Sequence, residues 1–373
     1  MLKKTAILFY SLLMFATAFA QHENVENQHG TAVTETPELS GKDAREKEVK
    51  EFVAHHILDA HDVAIMVKDG HHIGFPLPVI IYDEGFHFFM SNTEGVDGHE
   101  FIHGSPVESN GKFYTLHHEK IYRTDSKGTL TLDKDHHPTE KRVIDLSITK
   151  SVLVIILVAL LMIILFGGMA RSYKKSLIPT GAAKFLEPII VFVRDDIAIP
   201  NIGYKYKRFM GYLLTVFFFI LFLNVIGLMP FGVNVTGNIA ITFFLAILTY
   251  LITTFSGSKD YWKHIFWMPG VPVPMKFIML PIELLGTLTK PFALMIRLFA
   301  NMTAGHIVVM TLIGSIYIFE NWIAGVAFPF LTLVIYLLEV LVAFLQAYIF
   351  TMLSALFIGM AVEEHEHDHN HAH

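Results

Sequence analysis

The sequence contains no cysteine, which excludes disulfide bonds and any chemistry that depends on a thiolate. It also lacks an excess of basic residues: it has 28 lysines and arginines and 34 acidic residues, which gives a formal net charge of −6. This balance gives no reason to expect binding to nucleic acid. A phosphate-binding loop of the form Gly-x-x-x-x-Gly-Lys-Ser/Thr is absent as well.

Charged residues are scarce, at 17% of the chain, whereas 53% of the residues are hydrophobic and the mean hydropathy is +0.48. This composition predicts a membrane protein with a soluble portion. We divide the chain into a signal peptide (1–20), a flexible arm (21–50), an exported domain (51–146), a membrane domain (147–362) and a tail (363–373).

The first 20 residues have the three parts of a secretory signal. Lys3 and Lys4 precede an apolar stretch, and residues 18–20 read Ala-Phe-Ala, which is a cleavage site of the A-x-A type. An uncleaved anchor is the alternative, and in both cases the residues that follow are expected to be exported. The polar stretch 21–50 has few large apolar residues and predicts a flexible arm.

Residues 51–146 have the composition of a folded domain but no apolar run typical of a membrane span, and they predict a small α+β domain. Residues 51–63 have apolar residues at helical spacing, residues 78–90 predict two strands around a turn at 83–85, and residues 112–133 predict a further hairpin with a turn at 126–128. The role of this domain stays open; it could cover the outer side of the membrane domain or contact a neighbouring subunit.

Histidines are concentrated in this domain and in the tail. Adjacent pairs occur at 55–56, 71–72, 117–118 and 136–137, and more follow from His365 onward. A metal site is one interpretation, but no HExxH motif or other ordered ligand spacing is present, so solvated surface histidines are favoured. Weak metal binding by the tail stays possible beside a solvated charged tail. We expect no cofactor.

Five membrane spans and one interfacial helix are predicted within residues 147–362. Residues 151–170 form a charge-free run long enough to cross a bilayer, and the lysines and arginine that follow place its end in the cytoplasm. Residues 180–200 contain charges and a proline and suit a helix in the interface. Residues 209–229 and 238–255 form the next two spans, separated by a Pro- and Gly-containing break.

The last two spans are long. Residues 276–314 as one helix would measure roughly 58 Å, against a hydrocarbon core of about 30 Å. This helix must therefore be strongly tilted or bent near Pro291. The final span covers residues 330–360 and ends inside, because five spans that start outside must end in the cytoplasm.

These two spans carry polar residues at membrane depth, of which Arg297 is the most costly. A charge at the bilayer centre costs roughly 3 kcal/mol on insertion scales. Snorkelling to an interface is the alternative, but the sequence is free of charge from Leu298 to Phe319. The other polar residues in the two spans are Glu283, Lys290, Asn301, His306, Glu339 and Gln346.

Counting along antiparallel helices sorts these residues by depth. His306 lies about 13 Å outward from Arg297, Glu339 about 10 Å outward from Gln346, and Glu283 about 21 Å inward from Arg297. If Arg297 and Gln346 share the midplane, His306 and Glu339 share an outer level. Helical phase puts Asn301 and Glu283 on the broad face of Arg297, whereas His306 falls about 180° away and would not contact Arg297 directly.

The run KPFALMIRLFANMTAGHIVV, with RLFANM at 297–302, resembles the signature of subunit a, the stator channel of bacterial F-type ATP synthases. The resemblance extends from about residue 178 to residue 360. It implies a non-catalytic protein of the bacterial inner membrane, with a periplasmic N-terminal domain and a cytoplasmic C-terminus. It further implies that the arginine faces a ring of c subunits and separates two half-channels, and that b-type peripheral stalk subunits and membrane lipid are the other partners.

By this resemblance, His306 and Glu339 belong to the outer half-channel and Glu283 to the inner one, with Asn301 and Gln346 in support. The family usually has glutamate where this chain has His306 and histidine where it has Glu339. The exchange preserves one imidazole and one carboxylate, which suggests a shared proton relay; independent drift at two lumen-facing positions is the alternative. The transported ion is expected to be a proton, with sodium not excluded.

Two rival functions are weighed against this interpretation. A proton-coupled secondary transporter would show repeats and a broken helix at the substrate site, and neither is visible in the sequence. A metal-handling membrane protein would need two or more histidines or methionines at ligand spacing inside the membrane, and His306 is the only histidine expected there.

Overall fold

The computed structural model describes residues 45–47, 49–50, 53, 59–68, 71–133, 138–175, 181–229, 233–267, 272–319 and 322–363. The predicted signal peptide, nearly all of the predicted arm, most of the predicted helix at 51–63 and the tail beyond residue 363 lie outside these residues. The chain divides into two compact units. One contains Phe75–Ser147, and the other contains Lys42–Gly74 together with everything from Ile148 onward.

The N-terminal part is rich in strands. They are β1 (Asp62–Lys68), β2 (His71–Pro76), β3 (Pro78–Tyr82), β4 (Phe86–Met90), β5 (Val107–Ser109), β6 (Lys112–His117), β7 (Lys120–Thr124) and β8 (Ile144–Asp145). They form a β1–β2 pair and two three-stranded sheets with the orders β4–β3–β8 and β5–β6–β7. Between residues 75 and 147, leaving aside the undescribed 134–137, the helical content is a single turn at Phe101–His103. Strands are therefore present, but an α+β domain is not confirmed.

The hairpin predicted for residues 78–90 is confirmed. Antiparallel β3 and β4 pair from Pro78 opposite Met90 to Tyr82 opposite Phe86. Residues 79 and 81 point inward and are fully buried in a small core with Phe101, Tyr114 and Ile121. Period-two alternation of the strand thus fixes which side chains form the core.

The second predicted hairpin is real but turns earlier than the sequence indicates. β6 and β7 are joined at His118 and Glu119, both with positive φ (46° and 56°), which is rare for residues other than glycine and gives no strong sequence signal. The turn predicted at 126–128 also exists, closed by the Gly128 amide donating to the Asp125 carbonyl at 3.1 Å. The neighbouring β5–β6 hairpin turns at Asn110-Gly111, which is the preferred dipeptide for a tight turn.

A buried carboxylate holds these sheets together. The Asp83 side chain is 0% exposed; Lys141 Nζ donates to its Oδ1 at 2.7 Å, and Lys112 and Arg123 lie 3.7 and 3.6 Å from its Oδ2. The hydrogen bond from Lys141 holds the pKa of Asp83 below its usual value, with burial acting in the opposite direction and the lysine and arginine charges adding to the lowering.

From Lys150 onward, most of the described residues are helical. The main helices are α1 (Lys150–Lys175), α2 (Ala182–Phe192), α3 (Tyr206–Gly227), α4 (Ile239–Phe255), α5 (Lys259–Phe266), α6 (Val273–Phe319) and α7 (Trp322–Val362). A π-helical turn (Val193–Ala198) and two short helical turns connect α2 to α3, so the region predicted as an interfacial helix continues into the next helix.

Among the described residues, four helices are long and apolar enough to cross a membrane, or five if α4 and α5, bent by 104°, count as one span. The first of these helices agrees with the predicted span at 151–170. The predicted span at 209–229 overlaps the second, which begins at Ala183, and the span at 238–255 is included only when α4 and α5 count as one. α6 is one helix of 47 residues that continues through Pro281 and Pro291. α7 begins earlier than predicted, because the apolar turns before Pro329 remain helical and this proline removes only one backbone donor.

α3 lies at the centre of the helical unit, whereas α6 and α7 lie at its surface. Leu213, Phe217 and Ile220 of α3 are fully buried. In the most apolar 18-residue stretch of the span that contains α3, 44% of the residues are buried, compared with 11% in the corresponding stretch of α6 and 6% in that of α7. Large apolar surfaces of the last two helices are thus left for lipid or for other helices to cover.

We expect Asp83→Asn to destabilise the strand-rich unit at neutral pH, because three cations then lack their carboxylate. The loss should be on the order of 1–2 kcal/mol, since Lys141 is 62% exposed and screened by water. Hydrogen exchange of β3 amides in the full chain should become about 5–30-fold faster.

The matched control is Glu84→Gln at the exposed hairpin tip, which should change β3 exchange little. Because the folded pKa of Asp83 is lowered, its contribution is complete above the ordinary aspartate pKa of about 4 and is lost as the pH falls through the folded value. Equal exchange of the wild-type chain and Asp83→Asn at pH 7 would contradict the assignment.

Candidate functional site

Helices α6 and α7 pack antiparallel, and their contacts fix which residues share a level. Lys290 Nζ lies 5.3 Å from the centre of the Phe357 ring, Asn301 bonds to Gln346, and Gly305 adjoins Glu339. Residue numbers thus rise along α6 as they fall along α7. The polar residues predicted from the sequence are distributed along this one helix pair.

Arg297 lies at the edge of the buried side of α6. Leu294 and Leu298 beside it are buried, whereas Ala293, Asn301 and Ala304, at one- and two-turn spacing from it, are exposed. Within the described residues, no hydrogen bond or ion pair to the guanidinium is found. The arginine thus borders a stripe of small side chains, along which another helix could approach the backbone closely.

Asn301 and Gln346 form the polar contact nearest to Arg297. Asn301 Nδ2 donates to Gln346 Oε1 at 2.9 Å. Gln346 is only 1% exposed, and its Nε2 has no partner among the described residues, which leaves a buried donor unsatisfied. Gln346 therefore lies opposite Asn301, one turn outward from Arg297, instead of at the level of Arg297 as the depth count supposed.

Glu339 packs directly on the backbone of α6 at Gly305. A Cβ on Gly305 would collide with all three carboxyl atoms of Glu339. Glu339 Oε2 is buried and has no hydrogen-bond partner in the described part of the chain. Sequence reasoning missed Gly305, because a glycine within a helix normally indicates only low helix propensity.

His306 follows Gly305 and is therefore rotated by about 100° from the residue that meets Glu339. The two lie within about one helical turn in depth, as the sequence predicts, but the imidazole does not occupy the face that contacts the carboxylate.

A buried polar cluster lies beside this level. Asn224 of α3 is 0% exposed; it accepts a hydrogen bond from Thr236 at 2.9 Å and its Nδ2 is 3.4 Å from the Ala343 carbonyl of α7. Asn234 donates to the Met302 carbonyl of α6 at 3.2 Å, and Tyr336 donates to the Leu228 carbonyl at 3.0 Å. These groups link the α3–α4 connection to both long helices.

Glu283 lies at the other end of α6, where its Oε1 is 3.9 Å from Nδ1 of His264 on α5. One turn further along α6 begins a cleft that is partly open to solvent. Its polar lining comes from Thr249, Tyr250 and Thr253 of α4, Tyr261 of α5, and Thr287 and Lys290 of α6. Only Glu283 and Lys290 of this region were singled out from the sequence.

Metal binding gains no support from the geometry. Across the residues that the structure describes, no group of three or more His, Asp or Glu side chains could hold a metal ion. The rings of His117 and His118 pack edge to face, 4.3 Å apart, and burial together with His118 lowers the pKa of His117. The pairs at 55–56 and 136–137 lie outside the described residues, as do the side chains of 71–72.

Models of known protein families match two regions of the chain. The family model of the ATP synthase A chain matches residues 152–359, and a model for a domain of unknown function matches residues 52–146. ATP synthase subunit a 2 of Chlorobaculum tepidum is 49% identical over 227 residues, which cover 58% of this chain and 64% of that protein. A subunit a from Chlorobium phaeobacteroides is 42% identical over 294 residues, covering 74% of this chain and 84% of that protein.

We expect Gly305→Ala to force the Glu339 carboxylate out of its place and to strain the contact between α6 and α7. Such overpacking costs about 1–3 kcal/mol, so the apparent Tm of the detergent-solubilised chain, followed by tryptophan fluorescence, should fall. Gly286→Ala on the same helix is the control, because nothing lies within 4 Å of its added Cβ. Equal shifts of Tm for the two variants would contradict the close approach.

Proposed function

We propose that this chain is the proton-conducting stator subunit of an F-type ATP synthase. The chain belongs to the family of ATP synthase A chains, and the proposal starts from that membership. It is a multi-pass membrane protein, and in this proposal it is itself non-catalytic. The observation that carries the proposal is the position of Arg297, a charge without a described partner beside a stripe of small residues on sparsely covered helices.

In this proposal the stripe formed by Ala293, Arg297, Asn301 and Ala304 faces a ring of c subunits, and b-type stalk subunits hold the chain in place. Ala293 and Ala304 are exposed and small, which suits close packing against a moving helix. The length of α6 suits this role too: 47 residues measure about 70 Å, more than twice the hydrocarbon thickness, so the helix runs oblique to the bilayer.

The outer half-channel runs past His306 and Glu339. Among the described residues, one buried carboxylate oxygen of Glu339 has no hydrogen-bond partner, and the polar groups of Asn224 and Thr236 lie beside the same helix. A proton from outside passes this region and binds a carboxylate of a c subunit, which becomes neutral and can rotate into lipid. Imidazole and carboxylate are suited to relay protons near neutral pH.

Arg297 is the barrier between the half-channels. Its positive charge attracts the ionised c-subunit carboxylate and repels a proton that would otherwise cross directly. Gln346 is held by Asn301, which lies one turn from Arg297. Its Nε2 has no partner among the described residues and is a donor that can hydrogen-bond a carboxylate or water near the barrier. Ion passage is thereby tied to rotation of the ring.

The inner half-channel leads from the ring to the cytoplasm past Glu283. The cleft lined by Thr287 and Lys290 supports this path, because it brings hydroxyl groups and a cation to the inner part of α6. Tyr261 and Thr253 extend the polar lining on the facing helices. A proton released by the ring would reach Glu283 and His264 and then bulk water.

The remaining assignments follow the same topology. Residues 1–20 serve as a signal peptide, 21–50 as an arm, 51–146 as a periplasmic domain, 147–362 as the membrane domain of the bacterial inner membrane, and 363–373 as a cytoplasmic tail. Support for the orientation comes from Arg171 and Lys174 at the end of α1, since basic flanks favour the cytoplasm. The five spans and the interfacial position of α2 belong to this proposal.

Arg297→Ala should abolish ATP-driven proton pumping, because nothing then keeps the two half-channels apart or attracts the ionised carboxylate. Pumping is measured in inverted membrane vesicles by quenching of a pH-sensitive dye. The control Arg171→Ala removes a cation outside the proposed path and should pump as the wild type does. Normal pumping by Arg297→Ala would reopen the transporter interpretation.

The outer pair is tested by exchanging its members. His306→Glu and Glu339→His alone should each reduce pumping, because each leaves two groups of one kind at the outer level. The double variant restores one imidazole and one carboxylate and should pump better than either single variant. If the losses simply add, the two residues act independently and the relay is wrong.

A further inference from the structure

The sheet β4–β3–β8 has an apolar outer face in addition to an inner face that joins a buried core, which is unusual for a sheet with one face open to solvent. Its inner face contributes Val79, Ile81 and Val143 to the buried core. An antiparallel sheet that meets water on its other side normally alternates apolar and polar residues. Here the outer positions are apolar as well, so packing within the strand-rich unit explains only one of the two faces.

The outer apolar face consists of the outward-pointing residues of β3, β4 and β8, together with Leu146, which follows β8. The most exposed are Phe86 (70%), Phe88 (66%), Ile144 (60%) and Leu146 (55%). The other members are Pro78, Ile80, Tyr82 and Met90.

The register arranges these side chains in rows across the sheet. Tyr82 of β3 lies between Phe86 of β4 and Ile144 of β8. Ile80 lies between Phe88 and Leu146, whose amide donates to the Ile80 carbonyl at 2.8 Å. The face is continuous and carries no charged side chain, and exposed apolar patches of this kind mark surfaces that are covered in use.

The chain itself limits how far this face can lie from a membrane. β8 ends at Asp145, and α1 begins at Lys150. Five peptide steps span at most about 18 Å. α1 is the most hydrophobic of the candidate spans, with a mean hydropathy of 3.2. The edge strand of the apolar face is therefore tethered close to the bilayer surface that α1 enters.

We propose that the outer apolar face lies on the lipid surface next to α1, so that the strand-rich unit is a membrane-resting domain. Aromatic side chains favour this interface, since the ring enters the acyl boundary while a group such as the Tyr82 hydroxyl stays among the headgroups. Lipid suits an uncharged face that the tether keeps near the bilayer. The inference requires α1 to span the membrane but does not depend on proton conduction.

Because this chain has no cysteine, a single introduced cysteine is the only site in it that a thiol-reactive spin label can modify. Phe88→Cys and Ile144→Cys, on two strands of the face, each receive a nitroxide spin label in the full chain. The chain is studied within the assembled synthase in vesicles of phosphatidylethanolamine and phosphatidylglycerol. Glu108→Cys, exposed on the other sheet, is the water-facing control, and Ile163→Cys, 70% exposed on α1, is the lipid-facing control.

Collision rates with oxygen, which concentrates in lipid, and with a water-soluble nickel chelate distinguish the outcomes. Labels at 88 and 144 should favour oxygen, as the label at 163 does, whereas the label at 108 should favour the chelate. Chelate access at 88 and 144 equal to that at 108 would overturn the proposal, because the face would then meet water. Protection from both reagents would also overturn it, since a protein partner or a second copy would then cover the face. A water-facing label at 163 would remove the premise that α1 is inserted.

Discussion

The cost of holding one guanidinium inside an apolar helix is the constraint on which the helical unit depends. Roughly 3 kcal/mol is lost when an arginine sits at the bilayer centre without compensation. No ion pair to Arg297 is found within the described residues, and the side chains along its stripe are small. The proposed function supplies a reason for tolerating this cost, because an ionised carboxylate on a neighbouring helix would neutralise the arginine.

The antiparallel packing of α6 and α7 determines where the other polar groups lie relative to Arg297. Asn301 with Gln346 and Gly305 with Glu339 place polar contacts on one side of Arg297 along α6, while Lys290 and the cleft at Thr287 lie on the other side. Polar groups on both sides of one cation, offset along one helix pair, suit two separate paths that meet only through a moving carrier. Asn224 and Asn234 tie the long helices to the rest of the unit at the outer level.

Many of the helices and strands could be predicted from the sequence, because they depend on local hydropathy and on the alternation of apolar residues. The spans at 151–170 and 238–255 and the hairpin at 78–90 follow from hydropathy and from period-two alternation. The contacts between α6 and α7 were not accessible, since they depend on a register set by packing over more than 40 residues of chain. For that reason the depth count placed Gln346 one turn away from its position, and Gly305 was overlooked.

The most direct measurement is disulfide cross-linking from this naturally cysteine-free chain to the ring of c subunits. Ala304→Cys, on the exposed stripe of Arg297, would be paired with cysteines placed at successive depths along a c-subunit helix, with Ile163→Cys on α1 as the control. The account predicts cross-links from residue 304, at one depth of the c helix, and none from residue 163. Cross-links from 163 alone, or none from 304 at any depth, would contradict it.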